Sequence, residues 1–160
     1  SGKPMATKKM ALIATKGTLD MAYPPFILAS TAAALGWEVQ IFFTFYGLQL
    51  LRNSLDDIKI SPLANPAMPM PVPMPVLVQI LPGMESMATM MMKNKMKSKG
   101  VASLQELRDL CLEADVKFVA CQMTVDLFEF QTSEFIKDVE YGGAATFMKF
   151  AGESDVCLFI

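Results

Sequence analysis

The stretch Val116–Phe130, VKFVACQMTVDLFEF, places a continuous apolar run directly before an amphipathic segment, with Cys121 at the junction. A short run of valine and phenylalanine is typical of a strand that is buried on both faces. The segment after it, Met123–Phe130, has the spacing of a short helix. A strand that passes at once into a helix indicates a parallel α/β sheet.

The same alternation extends along the rest of the chain. Strands are predicted at Met10–Gly17, Trp37–Phe45, Val116–Cys121 and the closing DVCLFI, with shorter ones at Ile58–Ile60 and in VEYGG. Helices are predicted at Met21–Leu35, in YGLQLLRNS, at Met84–Lys99, from Ser103 onward, and at Gly142–Glu153. This order predicts a three-layer α/β/α fold with a mostly parallel sheet of about five strands. Ligands bind at the carboxyl ends of such strands, where Cys121 lies.

Capping residues predict where three of the helices begin or end. Asp20 is expected to cap the first helix, because Pro24 and Pro25 are tolerated only in a first turn. Ser103 with Glu106 forms a capping box sequence, and Gly100 is expected to end the helix before it.

A length of 160 residues, 52% of them hydrophobic, predicts a single domain over residues 1–160. A Pro/Met-rich loop at 61–83 interrupts it, because repeated proline excludes both a helix and a central strand. Whether this loop covers a pocket, joins an oligomer seam or touches a membrane stays open. The uncharged runs Met21–Trp37 and Pro66–Met84 both contain prolines, so a membrane span is not favoured. Three cysteines without a CxxC pair indicate a reducing, cytoplasmic setting.

The absence of histidine limits the chemistry that this chain can perform. It excludes a Ser-His-Asp triad, a Cys-His pair and any metal site that uses histidine. No glycine-rich phosphate loop follows the first strand, and no cofactor or metal is expected. With a net charge of −2 and no aromatic–basic interleaving, nucleic acid is not an expected partner. What is left is thiol chemistry or no chemistry.

Cys121 could be activated by its position alone. A cysteine just before a helix faces unpaired N–H groups, which favour the thiolate over the thiol. Asp126 would act in the opposite direction if it lay close. The alternative is an inert cysteine in a buried strand, since cysteine often packs as a small hydrophobic residue.

The sequence leads to different expectations for Cys111 and Cys157. Cys111 precedes Cys121 by ten residues, and helix and strand rises place the two about 12 Å apart along the element axes. That exceeds the ~7 Å between α-carbons that a disulfide allows, so pairing within the chain would need a rearrangement. Cys157 in the last strand is expected to lie in the core.

Several segments together resemble the DsrE/DsrF-like family, in its stand-alone sulfurtransferase subgroup. They are KGTLDMAYPP (Lys16–Pro25), IFFTFYGLQLL (Ile41–Leu51), NPAMPMP (Asn65–Pro71), ACQM (Ala120–Met123) and GGAATFM (Gly142–Met148). The resemblance runs over almost the whole chain. Proteins of this subgroup are sometimes labelled peroxiredoxin-like, but EADVKFVAC lacks the proline and threonine of the peroxidatic pattern PxxxTxxC.

The resemblance implies an oligomer that relays sulfane sulfur between rhodanese-like donors and TusA-like small carriers. It implies that Cys121 accepts the sulfur as a persulfide or thiosulfonate, and that Cys111 is the subgroup's second cysteine. Some relatives associate with membranes. The function expected is thus a homo-oligomeric sulfur carrier, a sulfurtransferase whose turnover as an enzyme stays open. The alternative is a non-catalytic scaffold or regulatory subunit of a sulfur-relay complex, with structural cysteines.

Overall fold

The structure, a computed structural model, describes residues 7–59 and 83–160. Within these residues one five-stranded sheet has the order β4-β3-β2-β1-β5, and every pairing is parallel. The strands are β1 Lys9–Ala14, β2 Glu38–Phe43, β3 Lys117–Cys121, β4 Val139–Gly142 and β5 Val156–Phe159. The predicted α/β fold with a parallel sheet is confirmed.

Five α-helices and two 3-10 helices connect the strands in the described ranges. They are α1 Leu19–Ala34, a 3-10 helix at Phe45–Leu51, α2 Met84–Ser98, α3 Leu104–Glu113, α4 Gln122–Leu127, a 3-10 helix at Thr132–Glu134, and α5 Ala144–Gly152. Apart from Gly83, the predicted Pro/Met-rich loop at 61–83 lies outside the described residues. None of the described helices combines the length and the apolar character that crossing a bilayer requires.

The sheet is the middle of three layers, because alternate residues of each strand lie on opposite faces. On one face Ile41 and Phe118 belong to the main core, together with side chains of α1 and α3. On the other face Val119 packs in a smaller cluster with Phe147 and Phe150 of α5. The predicted three-layer arrangement is therefore confirmed.

The prediction of a buried final strand, with Cys157 in the core, is wrong. Within residues 7–59 and 83–160, β5 lies at the edge of the sheet and has β1 as its one neighbour. Cys157 and Leu158 are exposed, and Phe159 is 71% exposed. On the face that carries Cys157 and Phe159, α5 packs over residues of β1, β2 and β3. No described helix side chain buries Cys157 or Phe159. An apolar composition therefore does not imply burial at this strand.

The first helix begins earlier than predicted. α1 starts at Leu19 after Thr18, and not after a capping Asp20, so Pro24 and Pro25 lie inside the helix. Each proline lacks the N–H that would bond the carbonyl four residues before it. Packing supports the helix instead, since Pro25 and Phe26 are both buried and the Phe26 ring packs on Phe43 and Phe118 of the sheet.

The other predicted helix ends agree with the structure. Gly100 follows α2 with φ +72°, a left-handed conformation that glycine adopts without strain. The Ser103 hydroxyl accepts a hydrogen bond from the Glu106 N–H at 3.1 Å, as an N-cap residue does. The short strand predicted at Ile58–Ile60 is not formed at Ile58 and Lys59, and Ile60 lies outside the described residues.

The 3-10 helix at Phe45–Leu51 lies directly on the carboxyl end of β1. The Thr44 N–H donates to the Ala14 carbonyl at 3.0 Å, and Gly47 is buried against the same peptide group. A Cβ on Gly47 would fall 2.7 Å from the Ala14 carbonyl carbon, which is closer than Cβ contacts allow. Only glycine permits this approach.

We expect Gly47→Ala to destabilise the protein by about 2–3 kcal/mol, because the new methyl group meets rigid backbone and cannot be accommodated by a side-chain rotation. Urea unfolding followed by circular dichroism measures the change. Gly152→Ala is the matched control: a Cβ there meets no described atom within 4 Å, so its stability should be equal or slightly higher. Equal stability of the two variants would contradict the close packing at Gly47.

Candidate functional site

Cys121 is the last residue of β3 and the N-cap residue of α4, so the strand enters the helix without a connecting loop. It lies opposite Gly142, the last residue of β4, at the carboxyl edge of the sheet. The side chain belongs to the smaller cluster on the α5 face and is only 4% exposed. The structure thus places the thiol where the sequence predicts it, in a shielded position.

Hydrogen bonds around the sulfur favour its ionised form. Burial raises the pKa of the Cys121 thiol. The hydroxyl and N–H of Thr124, the hydroxyl of Thr44 and the N–H of Met123 act in the opposite direction and lower the pKa below its ordinary value. Main-chain and hydroxyl donors stabilise a thiolate because it accepts hydrogen bonds with a full negative charge. Activation therefore needs no imidazole.

Asp126 does not oppose this activation. Its carboxylate accepts a hydrogen bond from the Gln122 side chain at 2.9 Å, one turn earlier on α4. Burial and hydrogen bonds account for the direction of the Cys121 pKa, and among the described residues no charged side chain contributes to it. The expectation that Asp126 raises the pKa, which depended on its lying close, is not met.

Sequence reasoning missed the two threonines at this site. Thr124 lies in the first turn of α4 and is fully buried, while Thr44 follows β2, the strand beside β3. Their hydroxyl oxygens are 3.1 Å apart. Phe43 pairs with Ala120, so Thr44 and Cys121 are the next residues along two neighbouring strands, and the strand order brings them to the same end of the sheet. One sequence signal could have revealed this pair: a threonine follows closely after each of two apolar strand runs.

Cys111 lies on the other side of the sheet from Cys121. It is fully buried on α3 in the main core, and its sulfur contacts the Phe26 carbonyl of α1 at 3.4 Å. Burial raises its pKa to about 12 despite a hydrogen bond with the backbone of Ser30. The structure therefore does not bring Cys111 to Cys121, in agreement with the predicted need for a rearrangement.

Cys157 also lies apart from Cys121. Two strands, β2 and β1, separate β3 from β5, which corresponds to roughly 14 Å across the sheet. Its thiol is exposed at the sheet edge. Among the described residues, no three cysteine, aspartate or glutamate side chains are grouped so that they could hold a metal ion.

An exposed apolar surface borders the Cys121 site. We call it the aromatic rim; it consists of Phe45, Tyr46, Met123, Leu127 and Phe128, which are all exposed. The Phe128 ring stacks on Tyr46 and meets Phe45 edge to face, each at 6.1 Å between ring centroids. Exposed apolar groups that adjoin one another in this way are typical of interaction surfaces.

Fold and site together define an α/β protein with a thiol at the carboxyl edge of a parallel sheet. A model of the DsrE/DsrF/DrsH-like family matches residues 6–159. The sequence is 66% identical to the sulfur carrier protein DsrE2 of Allochromatium vinosum, over 98% of this chain and 100% of that protein. It is 35% identical to the protein YrkE of Bacillus subtilis, over 96% of this chain and 98% of that protein. The chain belongs to the DsrE/DsrF/DrsH-like family.

A solved structure supports the fold. The crystal structure of the YchN protein from E. coli matches with a TM-score of 0.56, over 96% of this chain and 100% of that chain. Only 11% of the residues are identical, so this similarity concerns the fold alone.

Alkaline pH should weaken the fold through Cys111. Its pKa is about 12 in the native state against 9.0 for an ordinary thiol, so the native protein keeps a proton that the unfolded chain loses. The free energy of unfolding therefore falls as the pH rises from about 9 towards 12, and the contribution is intact below that range. Urea unfolding at a series of pH values measures this slope.

Cys111→Ala should show a shallower fall above pH 9, because alanine has no proton to lose, while Cys157→Ala should keep the slope of the unmodified protein. Equal slopes in all three proteins would mean that the Cys111 thiol ionises as readily in the folded state as in the unfolded chain.

Proposed function

We propose that the protein is a sulfur carrier in which Cys121 accepts sulfane sulfur, holds it as a persulfide or thiosulfonate, and passes it to an acceptor. The main observation behind this proposal is a shielded cysteine whose hydrogen bonds favour the thiolate, in a chain without histidine. The name of the 66% identical relative, sulfur carrier protein DsrE2, supports the same role.

The chemistry is an exchange between sulfur atoms. The Cys121 thiolate attacks the outer sulfur of a donor persulfide, the donor S–S bond breaks, and the donor thiolate leaves with the electron pair. An acceptor thiolate then attacks the outer sulfur on Cys121, and the Cys121 thiolate is the leaving group. Oxidation state is conserved across both steps.

Such an exchange fits the groups at this site. Both partners react as anions, so no proton is transferred and no acid or base is needed. Hydrogen bonding from Thr124, Thr44 and Met123 lowers the pKa of the Cys121 thiol against the effect of burial, and no charged side chain in the described part of the chain acts on that pKa. Hydrolytic or acyl-transfer chemistry would need a base that these donors cannot supply. The site therefore favours a carrier that discharges to a partner over an enzyme that turns over alone.

The surfaces of the protein support partners of two kinds. The aromatic rim offers rhodanese-like donors and TusA-like carriers an apolar surface next to the thiol. The β5 edge, which pairs with no further strand among the described residues and has Phe159 71% exposed, offers a surface for a second copy in a homo-oligomer. All three thiols are free, which suits the reducing cytoplasm.

Cys111 enters this proposal with a condition. The resemblance gives the subgroup a second cysteine at this position, yet here the thiol is buried against α1 on the opposite face from Cys121. Its participation requires that α3 separate from α1 or that a second subunit supply the thiol. In the arrangement seen here Cys111 contributes to packing.

Intact-protein mass spectrometry tests the carrier role. Because Cys157 is exposed, Cys157→Ser is the parent protein and leaves Cys121 as the candidate acceptor. Reduced protein is incubated with polysulfide, thiosulfate or tetrathionate, and then with dithiothreitol. We expect one adduct on the parent protein that dithiothreitol removes, and none on Cys121→Ser/Cys157→Ser.

Two further variants complete the design. Cys111→Ser/Cys157→Ser should keep the adduct if Cys111 only packs, and lose it if the two thiols act together. The scaffold alternative predicts that Cys121→Ser preserves both partner binding and sulfur delivery. An adduct that persists in the double variant without Cys121, or none on the parent protein with any donor or with a persulfide-loaded rhodanese domain, would overturn the proposal.

A further inference from the structure

The donors around Cys121 include a hydroxyl pair from two separate elements. Thr124 comes from the first turn of α4 and Thr44 from the end of β2, and their hydroxyls are 3.1 Å apart. The Phe45 N–H also donates to the Thr124 hydroxyl oxygen at 3.4 Å. Thr124 is fully buried. Because a fully buried hydroxyl cannot bond to solvent, its protein partners determine the orientation of its O–H bond.

Counting protons shows why this pair favours a thiolate. Each hydroxyl has one proton to donate and two lone pairs that accept. The bond between the two threonines uses one of their two protons, which leaves one proton for the sulfur. Either threonine can donate to the other, so either hydroxyl can provide the proton that is left for the sulfur. When Thr44 donates to Thr124, the Phe45 N–H and the Thr44 hydroxyl occupy both lone pairs of Thr124, and Thr124 donates to the sulfur. A thiolate suits this arrangement because it only accepts hydrogen bonds.

The backbone at Phe45 is a second, independent observation at the same place. Phe45 has φ +49°, in the left-handed region that a bulky residue enters only at a cost. Strained backbone of this kind persists where the surrounding structure holds it, and it concentrates at functional sites. The residue that adopts it is the one whose N–H fixes the Thr124 hydroxyl.

We propose that Thr124, supported by Thr44, is a positioning residue that holds Cys121 as a thiolate and makes it a good leaving group. The inference rests on the proposed carrier function and names the groups that take the place of a histidine. In a loaded carrier the negative charge lies on the outer sulfur, and the hydroxyls face a neutral inner sulfur. When an acceptor thiolate attacks, the charge returns to the Cys121 sulfur, where the hydroxyl proton stabilises it. The pair therefore favours delivery of the sulfur.

The described side chains that pack with Cys121 are apolar, so hydroxyl and N–H groups are the ones that stabilise the thiolate. The α5 side contributes Phe147 and Phe150, and the sheet contributes Phe42 of β2 and Val119 of the strand that ends at Cys121. On α4 the carboxylate of Asp126 is bonded to Gln122.

The test compares Thr124→Val, which removes the hydroxyl, with Thr124→Ser, which keeps it, in the Cys157→Ser parent. The rate of iodoacetamide alkylation at Cys121, measured against pH, gives the midpoint for thiolate formation. We expect Thr124→Val to raise the midpoint by about 1–2 pH units, since hydrogen bonds to charged groups have that strength. Thr124→Ser should stay close to the parent, and Thr44→Val should show a smaller rise.

A role in packing alone would lower the stability of Thr124→Val and leave the midpoint where it is in the parent. That result in a folded variant would overturn the inference. Circular dichroism and urea unfolding establish folding; if Thr124→Val does not fold, Thr44→Val against Thr44→Ser decides by the same midpoint, because Thr44 is only half-buried.

Sulfur loading separates this inference from the carrier role. If the parent takes up a reducible adduct but the valine variants keep its midpoint, the carrier role stands and the positioning role is wrong. If the parent takes up no sulfur but the midpoint rises in the valine variants alone, the positioning role stands and the carrier role is wrong. With both correct, loaded Thr124→Val should deliver sulfur to glutathione about tenfold or more slowly than loaded Thr124→Ser, as expected for a leaving thiol of higher pKa.

Discussion

The close contact between Gly47 and the end of β1 fixes the path of the chain as it leaves β2, and with it the position of Thr44. The peptide group of Ala14 accepts the Thr44 N–H and lies against Gly47, so it fixes where the 3-10 helix begins. Thr44 is therefore held just after the end of β2, beside Thr124 of α4. The end of β1, the 3-10 helix and the junction of β3 with α4 therefore lie next to one another. The contact of Gly47 with Ala14 thus helps to set the position of the Thr44 hydroxyl beside Thr124.

Arg108 holds the other end of the same 3-10 helix. Its guanidinium is 1% exposed and donates to the carbonyls of Leu50 at 2.9 Å and Arg52 at 2.6 Å, with a longer bond to Asn53 at 3.4 Å. Burial lowers the pKa of Arg108, and no ion pair with a carboxylate forms within the described ranges. The charge is instead solvated by carbonyls at a helix C-terminus, where a cation is favoured. Arg108 thereby joins α3 to the C-terminal end of the 3-10 helix that follows Thr44.

Much of the fold and part of the site could be predicted from the sequence, because each depends on local pattern. The strand before Cys121 and the helix after it are neighbours in sequence, so their junction is visible in VKFVACQMTVDLFEF. The exposure of Cys157 could not be predicted, because an apolar strand looks the same at the centre and at the edge of a sheet. The start of α1 was obscured by Pro24 and Pro25, whose cost is offset by packing that only the folded chain shows. The Thr44–Thr124 contact joins residues 80 positions apart and depends on the strand order.

The donors at Cys121 have a consequence for how this sequence can diverge. Two of them, the N–H groups of Met123 and Thr124, belong to the main chain, which every substitution except proline preserves. A third is a hydroxyl that serine can also supply. Few single substitutions can therefore abolish the electrostatic environment of the sulfur, while the exposed side of α4, where Met123 and Leu127 meet solvent, is free to vary. Related sequences can therefore differ on the exposed side of α4 while keeping the groups that lower the pKa of the cysteine.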